Sequence, residues 1–237
     1  MTSMHRALAS GVLALGLAAA SALAQPQGRL VAPGPFERID VDGAARVTLT
    51  QGERDQVVIG GDDADQSGIE VDVIGNRLRI RSTGGWKFWK NDKAQVVVQM
   101  REVSQINLSG ATDLHAPGPI RSDRLVVRIS GAGAARFDAL SAGQLKFDIS
   151  GAGDGQLAGQ VNELSLNVSG KGKLMAEQLR AVRASVSISG VGNANLWVTD
   201  QLRVNISGVG SVDYWGQPEV RRSTSGLGSV NSRGDKP

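Results

Sequence analysis

Apolar and polar residues alternate along the second half of the chain in short bursts of equal length. The clearest are Leu125-Val126-Val127-Arg128-Ile129, Leu145-Lys146-Phe147-Asp148-Ile149, Leu164-Ser165-Leu166-Asn167-Val168, Ala184-Ser185-Val186-Ser187-Ile188 and Leu202-Arg203-Val204-Asn205-Ile206. A period of two places the first, third and fifth side chains of each burst on one face, the mark of a strand buried on one side. Each burst ends in Ser-Gly, a pair that recurs at 109-110, 130-131, 150-151, 169-170, 189-190, 207-208 and 225-226, with spacings of 21, 20, 19, 20, 18 and 18 residues. One variable residue and usually a second glycine follow: Gly133, Gly153, Gly172, Gly192, Gly210 and Gly228. Glycines at a fixed offset mark a bend that needs positive φ or close backbone approach. A shorter apolar patch comes next, such as Phe137-Asp138-Ala139-Leu140 or Leu196-Trp197-Val198. Each unit therefore reads as strand, glycine corner, short strand and return turn.

A period near 20 residues, without any 3.6-residue pattern, predicts an all-β fold in which parallel coils stack about 4.8 Å apart as a β-helix or solenoid. Leu125, Leu145, Leu164, Ala184 and Leu202 then form one internal column, and Ile129, Ile149, Val168, Ile188 and Ile206 a second. The serines of the Ser-Gly pairs should form an outward hydroxyl ladder. No coil can bury its inner face alone, so both ends need caps. At the C-terminal end Arg222 and Thr224 replace apolar residues at inward positions of Val220-Arg221-Arg222-Ser223-Thr224, as a terminal coil requires; residues 231–237 read as a flexible tail. The N-terminal part is less regular, with Phe36–Val41, Val47–Thr50, Val57–Ile59, Ile69–Val73 and Leu78–Ile80 reading as strands between Gly or Asn turns. We expect one β domain over 36–230, irregular over 36–105 and repetitive over 106–230, after a linker at 25–35. A separate antiparallel domain over 36–105 is the alternative.

The Phe36-x-x-Ile39-x-Val41 opening, the Gly75-Asn76-x-Leu78-x-Ile80 segment, the serial Ser-Gly-x-Gly repeats and the closing Val212-Asp213-Tyr214-Trp215-Gly216-Gln217-Pro218 resemble the bacterial GIN-domain family, the head domain of putative auto-transporter adhesins. The resemblance runs from about residue 36 to 230. It implies a right-handed β-helical fold in an exported protein and says little about chemistry. Only nine residues follow Gly228, too few for a membrane barrel or trimeric stalk, so another secretion route or a partner is expected.

Export is also what the N-terminus predicts. His5 and Arg6 precede an apolar run from Ala7 to Ala20, and Ala22-Leu23-Ala24 supplies a small-x-small cleavage pattern. Residues 1–24 read as a signal peptide cleaved after Ala24, leaving a periplasmic or extracellular chain. The apolar run is shorter than the roughly 20 residues that span a bilayer, and no later segment of the mature chain reads as a membrane helix. The absence of cysteine removes a lipoprotein anchor, disulfides and thiolate metal sites. Lys and Arg number 26 against 23 Asp and Glu, a balance that argues against nucleic-acid binding.

Composition changes the picture in one further respect. Gly accounts for 31 of the 237 residues, whereas Phe, Trp and Tyr supply nine together. Three of those nine fall in Gly84-Gly85-Trp86-Lys87-Phe88-Trp89-Lys90-Asn91-Asp92. Trp86, Phe88 and Trp89 form the candidate ligand-binding site, an amphipathic hairpin suited to stacking on sugar rings or docking on a partner. A lid over the N-terminal core is the other reading of the same residues.

The remaining motifs have plain structural readings. Gly-x-Gly lacks the following helix start or Lys-Ser/Thr that a phosphate cradle needs. Ser150-Gly151-Ala152-Gly153-Asp154 offers one carboxylate where a calcium array needs several. Asn107, Asn167 and Asn205 fit glycosylation acceptors but also fit an outward Asn/Ser column. His115 is the one histidine of the mature chain, on a post-corner strand, so a Ser-His-Asp site would have to use it. Arg128 and Asp148 fall in one outward column and read as an exposed pair, and Arg233-Gly234-Asp235 matches an integrin-binding tripeptide. The expectation is an exported, non-catalytic binding or structural module without cofactor or metal, contacting a glycan, an envelope component or a protein. A secreted polysaccharide lyase or hydrolase on the same scaffold is the alternative.

Overall fold

The structure, a computed structural model, describes residues 28–60, 68–82 and 94–236. Every regular element among them is a strand, and all sixteen strands join one hydrogen-bonded sheet that coils into a β-solenoid of about 6 turns. In the repeat half, β9 (Ala111–Ile129), β10 (Ala132–Ile149), β11 (Ala152–Val168), β12 (Lys171–Ile188) and β13 (Val191–Ile206) each fill one coil from corner to corner. Each lies parallel to the next, with Leu125, Leu145, Leu164, Ala184 and Leu202 in register and Ile129, Ile149, Val168, Ile188 and Ile206 likewise. All ten are buried, so the predicted columns are the core. The return expected as a turn is instead a bulge, across which pairing slips between Phe137 and Leu140 or between Ala176 and Arg180 and then resumes. A bulge bends the strand while keeping most backbone groups in the ladder.

Close approach, rather than positive φ, explains most of the glycine corners. The amide of Ala152 donates to the Gly131 carbonyl at 2.9 Å, and that of Lys171 to Gly151 at 2.8 Å, so the ladder runs unbroken round the bend. A Cβ at Gly151, Gly170, Gly190, Gly208 or Gly226 would overlap the carbonyl oxygen of the corner glycine one coil earlier. The second glycine serves the core: a Cβ at Gly153, Gly192 or Gly228 would press on Ile129, Val168 or Ile206 respectively. At the first corner the second position is Thr112, buried, its hydroxyl shared between the carbonyls of Ser109 at 3.0 Å and Gly43 at 3.2 Å. The serines do not form the expected hydroxyl ladder. Ser109 and Ser130 donate to the carbonyls of Val41 and Leu108, and the five later serines face solvent, because their outward Oγ atoms stand one coil apart, beyond hydrogen-bond reach.

At the N-terminal end, spatial order departs from chain order. β2 (Arg38–Asp42) and β3 (Ala44–Gln51) form a coil that turns at Gly43, where φ is 107°. On one side lies the coil made by β8 (Gln105–Leu108) and the start of β9, and on the other the coil made by β6 (Arg77–Ser82) and β7 (Ala94–Met100). The first coil in sequence is thus enclosed between two later ones. Antiparallel strands close this end: β4 (Gln56–Gly60) on β7, β1 (Gly28–Val31) on β4, and β5 (Ile69–Ile74) on β6. Residues 25–35, expected as a linker, therefore contain a paired strand, and the antiparallel strands continue the solenoid sheet.

At the other end β14 (Val209–Trp215) and β15 (Glu219–Thr224) pair with β13, and β16 (Leu227–Ser232) pairs with β14. Arg222 and Thr224 occupy the columns of Val204 and Ile206 and are exposed, and such inward polarity discourages another strand from adding. The segment after Asn231 is tied down and not the free tail expected. Arg233 donates its amide to Tyr214 at 2.8 Å, Gly216 donates to Gly234 at 2.9 Å, and the Arg233 guanidinium meets Asp213 at 2.9 Å.

Two glycines separate crowding from chain flexibility. Gly151→Ala should destabilise by about 1–3 kcal/mol, since the methyl must displace backbone of the neighbouring coil. Gly118, with open space around it and no positive φ, should accept alanine within about 0.5 kcal/mol. Thermal melts of both variants check this, and equal shifts would refute the crowded-corner account.

Candidate functional site

The parallel register turns outward residues into columns that run along the stack. One column contains Asp40, Asn107, Arg128, Asp148 and Asn167. Asn107 donates to Asp40 at 2.6 Å, Arg128 reaches Asp148 at 3.5 Å, and Asn167 donates to Asp148 at 2.7 Å. The Arg128–Asp148 pair expected from sequence is present, within a longer network that also includes Lys146, 3.4 Å from Asp148. A second column runs Arg124, Gln144, Glu163, Arg183. Arg124 donates to Gln144 at 3.0 Å, Gln144 to Glu163 at 3.1 Å, and Arg183 to Glu163 at 2.8 Å. The Arg183 hydrogen bond holds the Glu163 carboxyl below its ordinary range.

The other residues singled out from sequence fall into similar contacts. His115 Nε2 lies 2.8 Å from Asp138 Oδ2, and Arg136 holds the other oxygen at 2.6 Å. His115, then Arg136, keep the Asp138 carboxyl below the usual carboxylate range. Among the described residues no serine hydroxyl bonds His115, whose side-chain partner is the Asp138 carboxylate. Asp154 accepts the Lys173 amide at 2.9 Å, and the described residues contain no cluster of three or more potential metal ligands. The amides of Asn107 and Asn167 serve the first column. In the tripeptide, Arg233 is held by Asp213, and Asp235 accepts from Gln217 at 3.1 Å. Trp86, Phe88 and Trp89 lie outside the described residues.

Two open grooves meet at Arg124 of the second column. The larger, about 820 Å³, follows the return bends and is lined by Gln51, Arg121, Arg124, Ser141, Gln160 and Arg180 among others. The second, about 450 Å³, shares Arg124 and continues past Lys146, Glu163, Arg183 and Arg203. Two tryptophans that sequence reasoning did not assign to a site stand beside the larger groove. Trp197 is in register with Arg180 on one side and Trp215 on the other, both indoles are partly exposed, and Lys236 Nζ lies 5.0 Å from the centre of the Trp215 ring. Their separation of 18 residues, one coil, was the available signal.

Residues 35–218 match the family described as putative auto-transporter adhesin, head GIN domain. The chain belongs to this family. Its fold is shared with a putative adhesin from Bacteroides fragilis, 26% identical, with a TM-score of 0.82 over 86% of this chain and 95% of that one. A putative lipid binding protein from Parabacteroides distasonis is 21% identical, with a TM-score of 0.68 over 89% and 97%. A putative adhesin from Parabacteroides merdae is 21% identical, with a TM-score of 0.65 over 86% and 94%. No curated protein sequence matches the chain. Membership in the GIN family makes this an adhesin-like module and points to an exported protein. No helix among the described residues is long and apolar enough to cross a membrane.

The paired carboxylates set an acid limit on this face. Asp138, beside His115 and Arg136, and Asp213, beside Arg233 and Asn231, ionise below the ordinary 3.8. Groups depressed in the folded state stabilise it above their unfolded pKa, and that contribution is lost as pH falls through the folded value. The melting temperature should drop below about pH 4, and Asp138→Asn should flatten part of the drop while lowering stability at pH 6. Parallel melts of parent and variant from pH 2 to 6 measure both effects.

Proposed function

We propose that this chain is an exported, non-catalytic binding module that holds an extended partner, a glycan, envelope component or protein, along its outward columns. The observation that carries the reading is the larger groove, which stays open and polar while crossing successive coils from Gln51 to Arg180. A site built by repetition suits a ligand that itself repeats or extends, whereas a small-molecule site converges on an enclosed apolar pocket. The carboxylates of the columns, Asp40, Asp148 and Glu163, are each met by Arg, Lys or Asn. That leaves these three serving the ladder and not placed as a free acid and base of the kind that glycosidic cleavage uses. Cleavage after Ala24 and the aromatic segment Trp86, Phe88 and Trp89 belong to the same reading, supported by sequence alone.

The full chain should be retained on the envelope fraction of the producing cell, and release into the unbound fraction would overturn the proposal. Trp86→Ala combined with Trp89→Ala should leave melting nearly unchanged and reduce retention. A folded double variant retained as the parent is would remove that segment from the contact surface.

A further inference from the structure

The outward column beside the larger groove changes chemistry along its length. In register order it reads Arg121, Ser141, Gln160, Arg180, Trp197, Trp215. The first four line the groove, and the last two are the partly exposed indoles beyond its end. Five of them adjoin a buried residue, Ile120, Ala142, Val161, Leu179 and Leu196 in turn, and Trp215 follows Tyr214, which packs against the core, so they face the same way. Five steps of about 4.8 Å make a track of about 24 Å. Cations gather on it. Arg121 and Arg180 are exposed, and neither guanidinium has a carboxylate partner among the described residues. Lys236 is held over Trp215 by the tail, which Arg233 and Gly234 fasten to β14 and Gly216. The acids lining the same groove are Glu102 and Asp123, against Arg121, Arg124 and Arg180.

Building on the binding-module reading, we infer that this track binds an acidic polysaccharide lying parallel to the solenoid axis. Pyranose rings present flat C–H faces that stack on indole, and Trp197 with Trp215 offers two such surfaces one coil apart. The coil repeat is close to the advance of an extended pyranose chain per sugar, so successive rings meet successive side chains. Ser141 and Gln160 donate to and accept from ring hydroxyls. Arg121 and Arg180 grip carboxylates with their planar forks, at a spacing of three coils. A lipid surface suits the track less well, because only its Trp end is apolar.

Affinity electrophoresis of the full chain in gels containing polygalacturonate, with neutral dextran as the reference, tests the track. The parent should be retarded by polygalacturonate, less so as salt rises, and not by dextran. Arg121→Ala with Arg180→Ala should weaken binding on the order of tenfold or more. Trp197→Phe, which keeps a ring and guards against misfolding, should weaken it less than Trp197→Ala in variants whose melting confirms folding. Arg221→Ala, on the last coil and paired with Glu219, should bind as the parent does. Unchanged retardation in the arginine double variant overturns the inference, as does binding to anionic vesicles without binding to polygalacturonate. If the parent ignores polygalacturonate yet stays on envelope material, the glycan track fails and the binding-module reading stands. If it does neither, both fail.

Discussion

A carbonyl oxygen of one coil lies where the Cβ of the next coil's corner residue would be, and the rest of the structure follows from that approach. The solenoid satisfies its backbone by pairing every coil with its neighbours, and at the Ser-Gly corners this brings successive main chains together with no room for a side chain. Glycine is therefore the residue that lets the ladder turn without leaving polar groups orphaned. Once the corners stack, the flanking alternation is forced into register, and apolar residues accumulate as continuous internal columns. Phe147 shows how closely this is packed: its ring fills the space that Gly155 leaves open one strand on.

The same register that builds the core writes the surface. Side chains about 20 residues apart become neighbours, so Asp148 is held by residues of its own coil and both adjoining coils, through Lys146, Arg128 and Asn167. Individually such exposed pairs add little stability. Their larger consequence is a fixed, ordered face on which grooves and indoles repeat along an axis. An extended partner can meet that face at several points without any single deep pocket, which fits the adhesin-like character of the GIN family.

The two ends solve the edge problem differently. At the N-terminal end the antiparallel strands β1, β4 and β5 cover the coil formed by β6 and β7, and the enclosed β2–β3 coil ties residues 38–41 and 44–48 to segments more than 50 positions later. At the C-terminal end the last coil turns Arg222 and Thr224 toward what would be the core, and the tail clamps onto β14. That clamp fixes Lys236 against Trp215 and so places a charge beside the aromatic end of the track.

Much of this was legible in the chain itself. Period-two alternation and the Ser-Gly spacing were enough for the strands, the parallel stacking and the internal columns, because both signals are local and repeat many times. The Arg128–Asp148 pair followed from the same periodicity. Sequence alone did not decide why the corners need glycine, since positive φ and close approach leave the same residue. Nor did it decide the order of the N-terminal coils, where repeats are few and pairing between distant segments is chosen by packing. The join of Arg180, Trp197 and Trp215 into one outward column depended on a bulge that slips the register between Ala176 and Arg180. Counting residues along an ideal repeat misplaces that arginine, and only the folded ladder sets it beside the indoles.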